Sequence, residues 1–442
     1  MKPLAIALLI ASIAPAAEPE WPQVEQHALE LLQTYIRIPT VDPPADTRKA
    51  AELFKTELER HGFAPKLYPS GPDGKTILIV RLAGLDRTKK PLLLMNHFDV
   101  VPVDPAAWGA IDPFGAEIKD GILWGRGSLD MKGVGVMQLT ALILLKDLGI
   151  VPDRDIVMLC DPDEEAGGEY GIKWMVKNHR DEINAQWVID EGGFGSRDAL
   201  AQQPGKLVFG IAVGEKHLIW VRLRAKGTAG HGSQPIADNA NLLLLTAIQK
   251  ALAIPATTRP NATVDEMVRA TGGLASNKYI NAIHQNTISL TTLKAGVGEP
   301  LKPNVIPSVS EATLDCRLVP GANSDEFISE MKARINDPRV TVELINHSDD
   351  AGESPTNTEI YNAMRTALLA HNPDAIVTPM LVPYGTDSNV LRKLGIPSYG
   401  LIPMVLDTAT LATMHSDAER IPVAEFFKGL RIYFDLLRML KS

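Results

Sequence analysis

Five short stretches of the chain collect histidine and acidic residues where apolar runs stop. They are Asn96-His97-Phe98-Asp99, Gly125-Arg126-Gly127-Ser128-Leu129-Asp130, Asp161-Pro162-Asp163-Glu164-Glu165, Asp190-Glu191-Gly192-Gly193 and Met414-His415-Ser416-Asp417-Ala418-Glu419-Arg420. Taken singly, each has an ordinary explanation. Asp130, placed ahead of an apolar helix, could be an N-cap. The run from Asp161 to Glu165 could be a solvated loop, and His97 with Asp99 a polar strand end. Five together call for a common cause, and metal binding supplies one. His97 and Asp99 are two apart, so on an extended chain they point the same way. A metal-bound imidazole needs an acceptor on its other nitrogen, and Asp99 suits that role. Asp130 could bridge two ions through its two oxygens. The carboxylates of Asp161, Asp163, Glu164 and Glu165 repel one another unless cations offset them. One of the two glutamates can hold metal while its neighbour serves as a general base. Imidazole with carboxylate suits zinc better than calcium or magnesium, which prefer all-oxygen shells. Cobalt or manganese could fill the same donor set.

These stretches need a scaffold that brings strand ends together. Leu92-Leu93-Leu94-Met95 has no polar alternation, as in a strand buried on both faces. The runs 76–82, 154–160 and 187–190 have strand length too. Helical spacing recurs over 23–61, 131–148, 170–179 and 423–440. Strands alternating with helices predict an α/β layer sandwich, whose ligands sit beyond the carboxyl ends of the strands. The texture changes near Gly214. Segments 216–226, 286–294 and 309–318 alternate apolar with polar residues, as a half-exposed sheet does, and a helix is expected over 239–252. The α/β texture returns near Ser354. The domains expected are therefore 18–213, an insertion over 214–345, and 346–442 as the second part of the first.

A chain of 442 residues favours two domains. A net charge of −9 argues against nucleic acid, which needs a basic face. Lys2, the apolar run Leu4 to Ile13 and Ala14-Pro15-Ala16 form a signal-peptide pattern over residues 1–17, cleaved near Ala16 or Ala17, so a secreted or periplasmic location is expected. No later run is long and uncharged enough to suggest a membrane helix. Cys160 and Cys316 fall in no metal-binding spacing and in different expected domains, so both are expected as buried free thiols.

The order H-x-D, G-R-G-x-x-D-x-K-G, D-E-E-x-G-G, D-E-G and H-S-x-x-E-R resembles the M20 metallopeptidases, nearest the aminoacylase-1 and carboxypeptidase S branch. The resemblance implies a zinc-peptidase-like three-layer α/β/α catalytic domain with an inserted α+β dimerisation or lid domain. It implies two zinc ions, one held by His97 and Glu191, the other by Glu165 and His415, with Asp130 between them. Asp190 is the rival of Glu191, which is preferred. Glu164 becomes the general base and Asp99 the orienter of His97. A cis peptide between Asp130 and Met131 is implied as well. From the inserted domain, His231 in Gly227-Thr228-Ala229-Gly230-His231 would reach a partner subunit's active site, which implies a homodimer. Asn304, Arg317 and Thr386 would bind substrate, a small peptide or an N-acyl amino acid. The sequence departs from the branch at Asn389, which stands where an arginine helps hold the substrate carboxylate; Arg317 or Arg392 would have to replace it. The rival reading is a non-catalytic periplasmic metal- or peptide-binding protein.

Overall fold

Apolar runs lacking alternation form the middle of a large sheet. In a computed structural model, which describes residues 18–198, 205–256, 258, 260–273 and 278–441, its strands lie in the order Lys66–Pro69, Thr76–Leu82, Ile156–Asp161, Leu92–His97, Trp187–Asp190, Ser398–Gly400, Val208–Glu215 and Ile376–Val382. The expected signal peptide lies outside the described residues. Strand Leu92–His97 runs parallel to both its neighbours, Ile156–Asp161 and Trp187–Asp190. Trp187–Asp190 is parallel in turn to Ser398–Gly400. Four consecutive strands thus end at one edge.

Strand periodicity sorts their side chains onto two faces. Leu92, Leu94, Ile156 and Met158 meet helices Trp21–Ile36, Arg48–Arg60, Gly133–Asp147 and Val423–Arg438. Leu93, Met95, Val157 and Leu159 meet Ile172–Asn178 and Ser388–Lys393. That is the expected three-layer α/β/α sandwich. The stretch Ser128–Asp147 is apolar and long enough to cross a membrane, but its residues up to Leu145 are buried within this fold.

A second, four-stranded antiparallel sheet has the order Thr287–Lys294, Val309–Leu318, His217–Lys226 and Val340–His347. The alternation of Val309–Leu318 becomes a regular alternation of buried and half-buried residues. Its buried face packs on helices Ala240–Leu252 and Ser324–Ile335 through Leu244, Ile248, Phe327 and Met331. Not all of the range 214–345 joins this unit. Val264, Met267, Ile280 and Ile283, on helices Ala262–Thr271 and Lys278–His284, are buried in the core of the large sheet. Cys160 and Cys316 are free and buried, one in each sheet.

Where the chain leaves the large sheet for the small one, Glu215 is buried and accepts hydrogen bonds from Thr386 Oγ1 at 2.7 Å and Arg392 Nη2 at 3.0 Å. Losing one partner of a buried ion pair leaves an uncompensated charge. Arg392→Met is expected to lower the unfolding free energy in urea by about 3–5 kcal/mol, and adding Glu215→Leu to recover part of it.

Candidate metal centre

Three of the parallel strands deliver the site. His97 closes Leu92–His97, Glu191 follows Trp187–Asp190, and Glu164 and Glu165 sit in a short turn after Ile156–Asp161. Asp130 lies in the irregular turn Ser128–Lys132 that leads into helix Gly133–Asp147, and its peptide to Met131 is cis. His415 has a left-handed backbone, φ 62°, in the turn after helix Thr408–Leu411.

The side chains form two groups with one shared member. His97 Nε2 lies 3.2 Å from Asp130 Oδ1 and 3.9 Å from Glu191 Oε1. His415 Nε2 lies 3.0 Å from Asp130 Oδ2 and 3.2 Å from Glu165 Oε1. Within each group the ligand atoms lie within 4.8 Å of one another, the spread a metal ion would need. All five expected ligands are brought together, and the two oxygens of Asp130 face opposite groups. Glu191 joins the cluster. Asp190 is turned away, accepting from Ser388 N at 3.1 Å and Ser388 Oγ at 2.8 Å.

Asp99 acts differently from the expectation. His97 Nδ1 is held by the backbone carbonyl of Asp99 at 3.0 Å, while the carboxylate is farther, at 3.5 Å. That carboxylate accepts instead from the backbone N–H of Glu164 at 3.2 Å and of Glu165 at 3.0 Å. Asp99 therefore fixes the acidic turn as well as the imidazole. Glu419, to which the sequence reading gave no role, has its buried carboxylate against the backbone of Asp130.

The charges show what the cluster lacks. Burial raises the carboxyl of Glu164 well above its ordinary range, against the pull of His97 and with help from Glu165. Burial, then Asp130 and Glu164, raise Glu191 in the same way. Burial likewise raises Glu165. Burial works against the charged form of His415, yet Asp130 and Glu165 lift it to about 11. Asp130 is held low by hydrogen bonds from His415 and His97, despite its burial. The surrounding carboxylates thus push both imidazoles toward their charged form. Clustered carboxylates with two imidazoles fit cations.

A cleft of about 710 Å³ opens over Asp130, Glu164, Glu165, Glu191 and His415. Its far wall is Leu218, Trp220 and Arg317 of the small sheet, and Thr386 and Asn389 also line it. Arg317 pairs with Asp315 at 2.8 Å. Arg392 is buried on Glu215, so it does not stand in for the arginine missing at 389. Asn389 Nδ2 donates to the carbonyl of Asp349 at 3.1 Å. His231 and Asn304 are exposed and do not line the cleft of their own chain. The reason is local: Gly230–His231 pairs with Val305–Ile306 in a separate two-stranded ribbon.

The sequence model of peptidase family M20/M25/M40 matches residues 93–439, which carry every residue of this cluster. The chain belongs to that family. The M20 chain is similar to aminoacylase-1B of Rattus norvegicus, at 29% identity over 426 residues, covering 95% of this chain and 97% of that one. It is similar also to the probable carboxypeptidase S-like 2 of Dictyostelium discoideum, at 28% identity, covering 82% and 74% respectively. In fold it is similar to the M20 family metallo-carboxypeptidase Sso-CP2 of Sulfolobus solfataricus, with a TM-score of 0.73 at 19% identity, over 93% of this chain and 99% of that one. The chain is thus an M20 amidohydrolase of a metal-dependent family, and a purely binding role is not favoured.

Because both groups share Asp130, substitutions should separate them. Elemental analysis of metal-loaded protein is expected to show both ions lost in Asp130→Ala, but only one lost in His415→Ala. Metal loading must displace the His415 proton, so apparent affinity is expected to fall as pH is lowered.

Proposed function

We propose that this chain is an exported, dinuclear zinc enzyme that hydrolyses the amide bond of small peptides or N-acyl amino acids. The observation that carries the reading is the placement of Asp130, one oxygen toward His97 and the other toward His415. His97 and Glu191 would hold one zinc, Glu165 and His415 the other, and Asp130 both, with cobalt or manganese as substitutes. Bound there, the ions would lower the pKa of a water between them and polarise the scissile carbonyl. Glu164 lines the cleft beside both groups and is in neither. Its raised affinity for protons suits a general base that takes a proton from the attacking water and returns it to the leaving amine. Asp99 keeps that glutamate in place through its backbone.

Leu218, Trp220, Tyr384 and Met414 give the cleft apolar walls for an acyl group or side chain. Arg317 is the guanidinium on the cleft, and it would take the free carboxylate of the substrate, with Thr386 lining the same cleft. We assign His231 and Asn304 to a partner's cleft in a homodimer. In support, strand Thr287–Lys294 is a sheet edge that exposes Leu290 and Leu293, and helix Ala240–Leu252 exposes Leu242 and Leu245. Export with cleavage rests on the N-terminal pattern; a chain retained inside the producing cell and still beginning at Met1 would contradict it.

Glu164→Gln is expected to lower kcat by about 10²- to 10⁴-fold while zinc content stays at the wild-type level; near-normal turnover would remove Glu164 from its role. Arg317→Met is expected to raise KM for N-acyl amino acids far more than it lowers kcat. Mixing inactive Glu164→Gln with inactive His231→Ala subunits should restore hydrolysis, because one cleft of each mixed dimer is intact. No gain on mixing would place His231 outside the partner's site.

A further inference from the structure

The carboxylate of Glu419 is fully buried, within reach of the metal cluster, yet it touches no ligand side chain. It spends its whole accepting capacity on one loop. Oε2 accepts from Arg126 Nη1 at 2.6 Å and Gly127 N at 3.0 Å. Oε1 accepts from Leu129 N at 2.9 Å and Asp130 N at 3.0 Å. The backbone carbonyl of Glu419 accepts from Gly125 N at 3.0 Å. Every N–H from Gly125 to Asp130 that meets this residue is thus fixed by it, with Arg126 set against the ring of Trp108, 5.6 Å from its centre. Four residues earlier on the same turn stands His415, whose imidazole faces the other oxygen of Asp130.

A carboxylate placed beside Asp130 is an expensive way to tie down a loop, since burial and the neighbouring charge both oppose its ionised form. Charge-assisted bonds to backbone N–H groups are the stronger and shorter ones. They fix the direction of a peptide unit in a way that apolar packing does not. Here the peptide unit is the one carrying the side chain that both ligand groups share.

We propose that Glu419 is a positioning residue for both halves of the metal centre: it ties the loop that carries Asp130 to the turn that carries His415, so the two metal positions form together. The proposal rests on the reading of Asp130 as the shared ligand. Glutamine cannot substitute, because its amide would set an N–H against two donors at whichever oxygen it replaced. Aspartate keeps the charge but is one methylene short of the loop.

The test is a zinc titration of full-length wild-type, Glu419→Gln, Glu419→Asp and His415→Ala protein by calorimetry. The near-ultraviolet circular dichroism of the metal-free proteins reports folding separately. Glu419→Gln is expected to weaken both zinc positions by about 10- to 100-fold, whereas His415→Ala loses one and spares the other. At saturating zinc, kcat of Glu419→Gln should fall with KM little changed. If Glu419→Gln does not fold, Glu419→Asp carries the test with the same expectation. Wild-type affinity at both positions in the folded variant, or weakening at one position only, would overturn the proposal. Should wild-type protein itself bind fewer than two zinc ions, the dinuclear reading fails instead, a result distinguishable from failure of Glu419 alone.

Discussion

Each oxygen of Asp130 is faced by a histidine nitrogen, at 3.2 and 3.0 Å, and the surrounding structure serves that arrangement. The two histidines come from opposite ends of the chain. Holding them about one carboxylate requires a parallel strand ending at 97, a helix starting near 133 and a turn at 415 to meet at one point. Around them lie Glu164, Glu165 and Glu191, whose burial and mutual repulsion make the site unfavourable without positive charge. The same carboxylates push both imidazoles toward their charged form, and metal ions would balance them better. That repulsion would favour the binding of cations there.

Most of the scaffold was legible because buried parallel strands leave a plain record. Leu92-Leu93-Leu94-Met95 carries no polar residue, as it must when both faces pack on helices. The small sheet was legible for the opposite reason, since its outer face is wetter and Val309–Leu318 alternates. Helix periodicity said nothing about which sheet a helix covers. Ala262–Thr271 and Lys278–His284 consequently fell inside the expected insertion, although they complete the core of the large sheet. All five expected ligands could be named because the order of their motifs resembles that of the M20 metallopeptidases. The supporting contacts could not. The carbonyl of Asp99 does what its carboxylate was expected to do, and a carbonyl leaves no mark in a sequence. Glu419 lay in plain view in H-S-x-x-E-R, but its partners are backbone N–H groups some 290 residues away. The preference for Glu191 over Asp190 has a structural reason: Asp190 is occupied by Ser388.

The substrate end of the cleft follows its own logic. Asn389 and Arg392 both look inward from helix Ser388–Lys393, yet each is already committed, one to the carbonyl of Asp349 and the other to Glu215. A buried guanidinium paired with a buried carboxylate is not free to bind a ligand without leaving that carboxylate bare. In the proposed reading a substrate carboxylate would instead be met by Arg317 on the small sheet, which pairs with a partly exposed Asp315. The cleft is thus lined from both sheets, whereas the clustered carboxylates and imidazoles all come from the domain of the large sheet.

Anomalous diffraction at the zinc edge, from crystals of the full chain grown with zinc, would test the shared-carboxylate account most directly. The account predicts two peaks flanking Asp130, one against His97 and Glu191 and the other against Glu165 and His415. A single peak, or zinc bound away from Asp130, would contradict it.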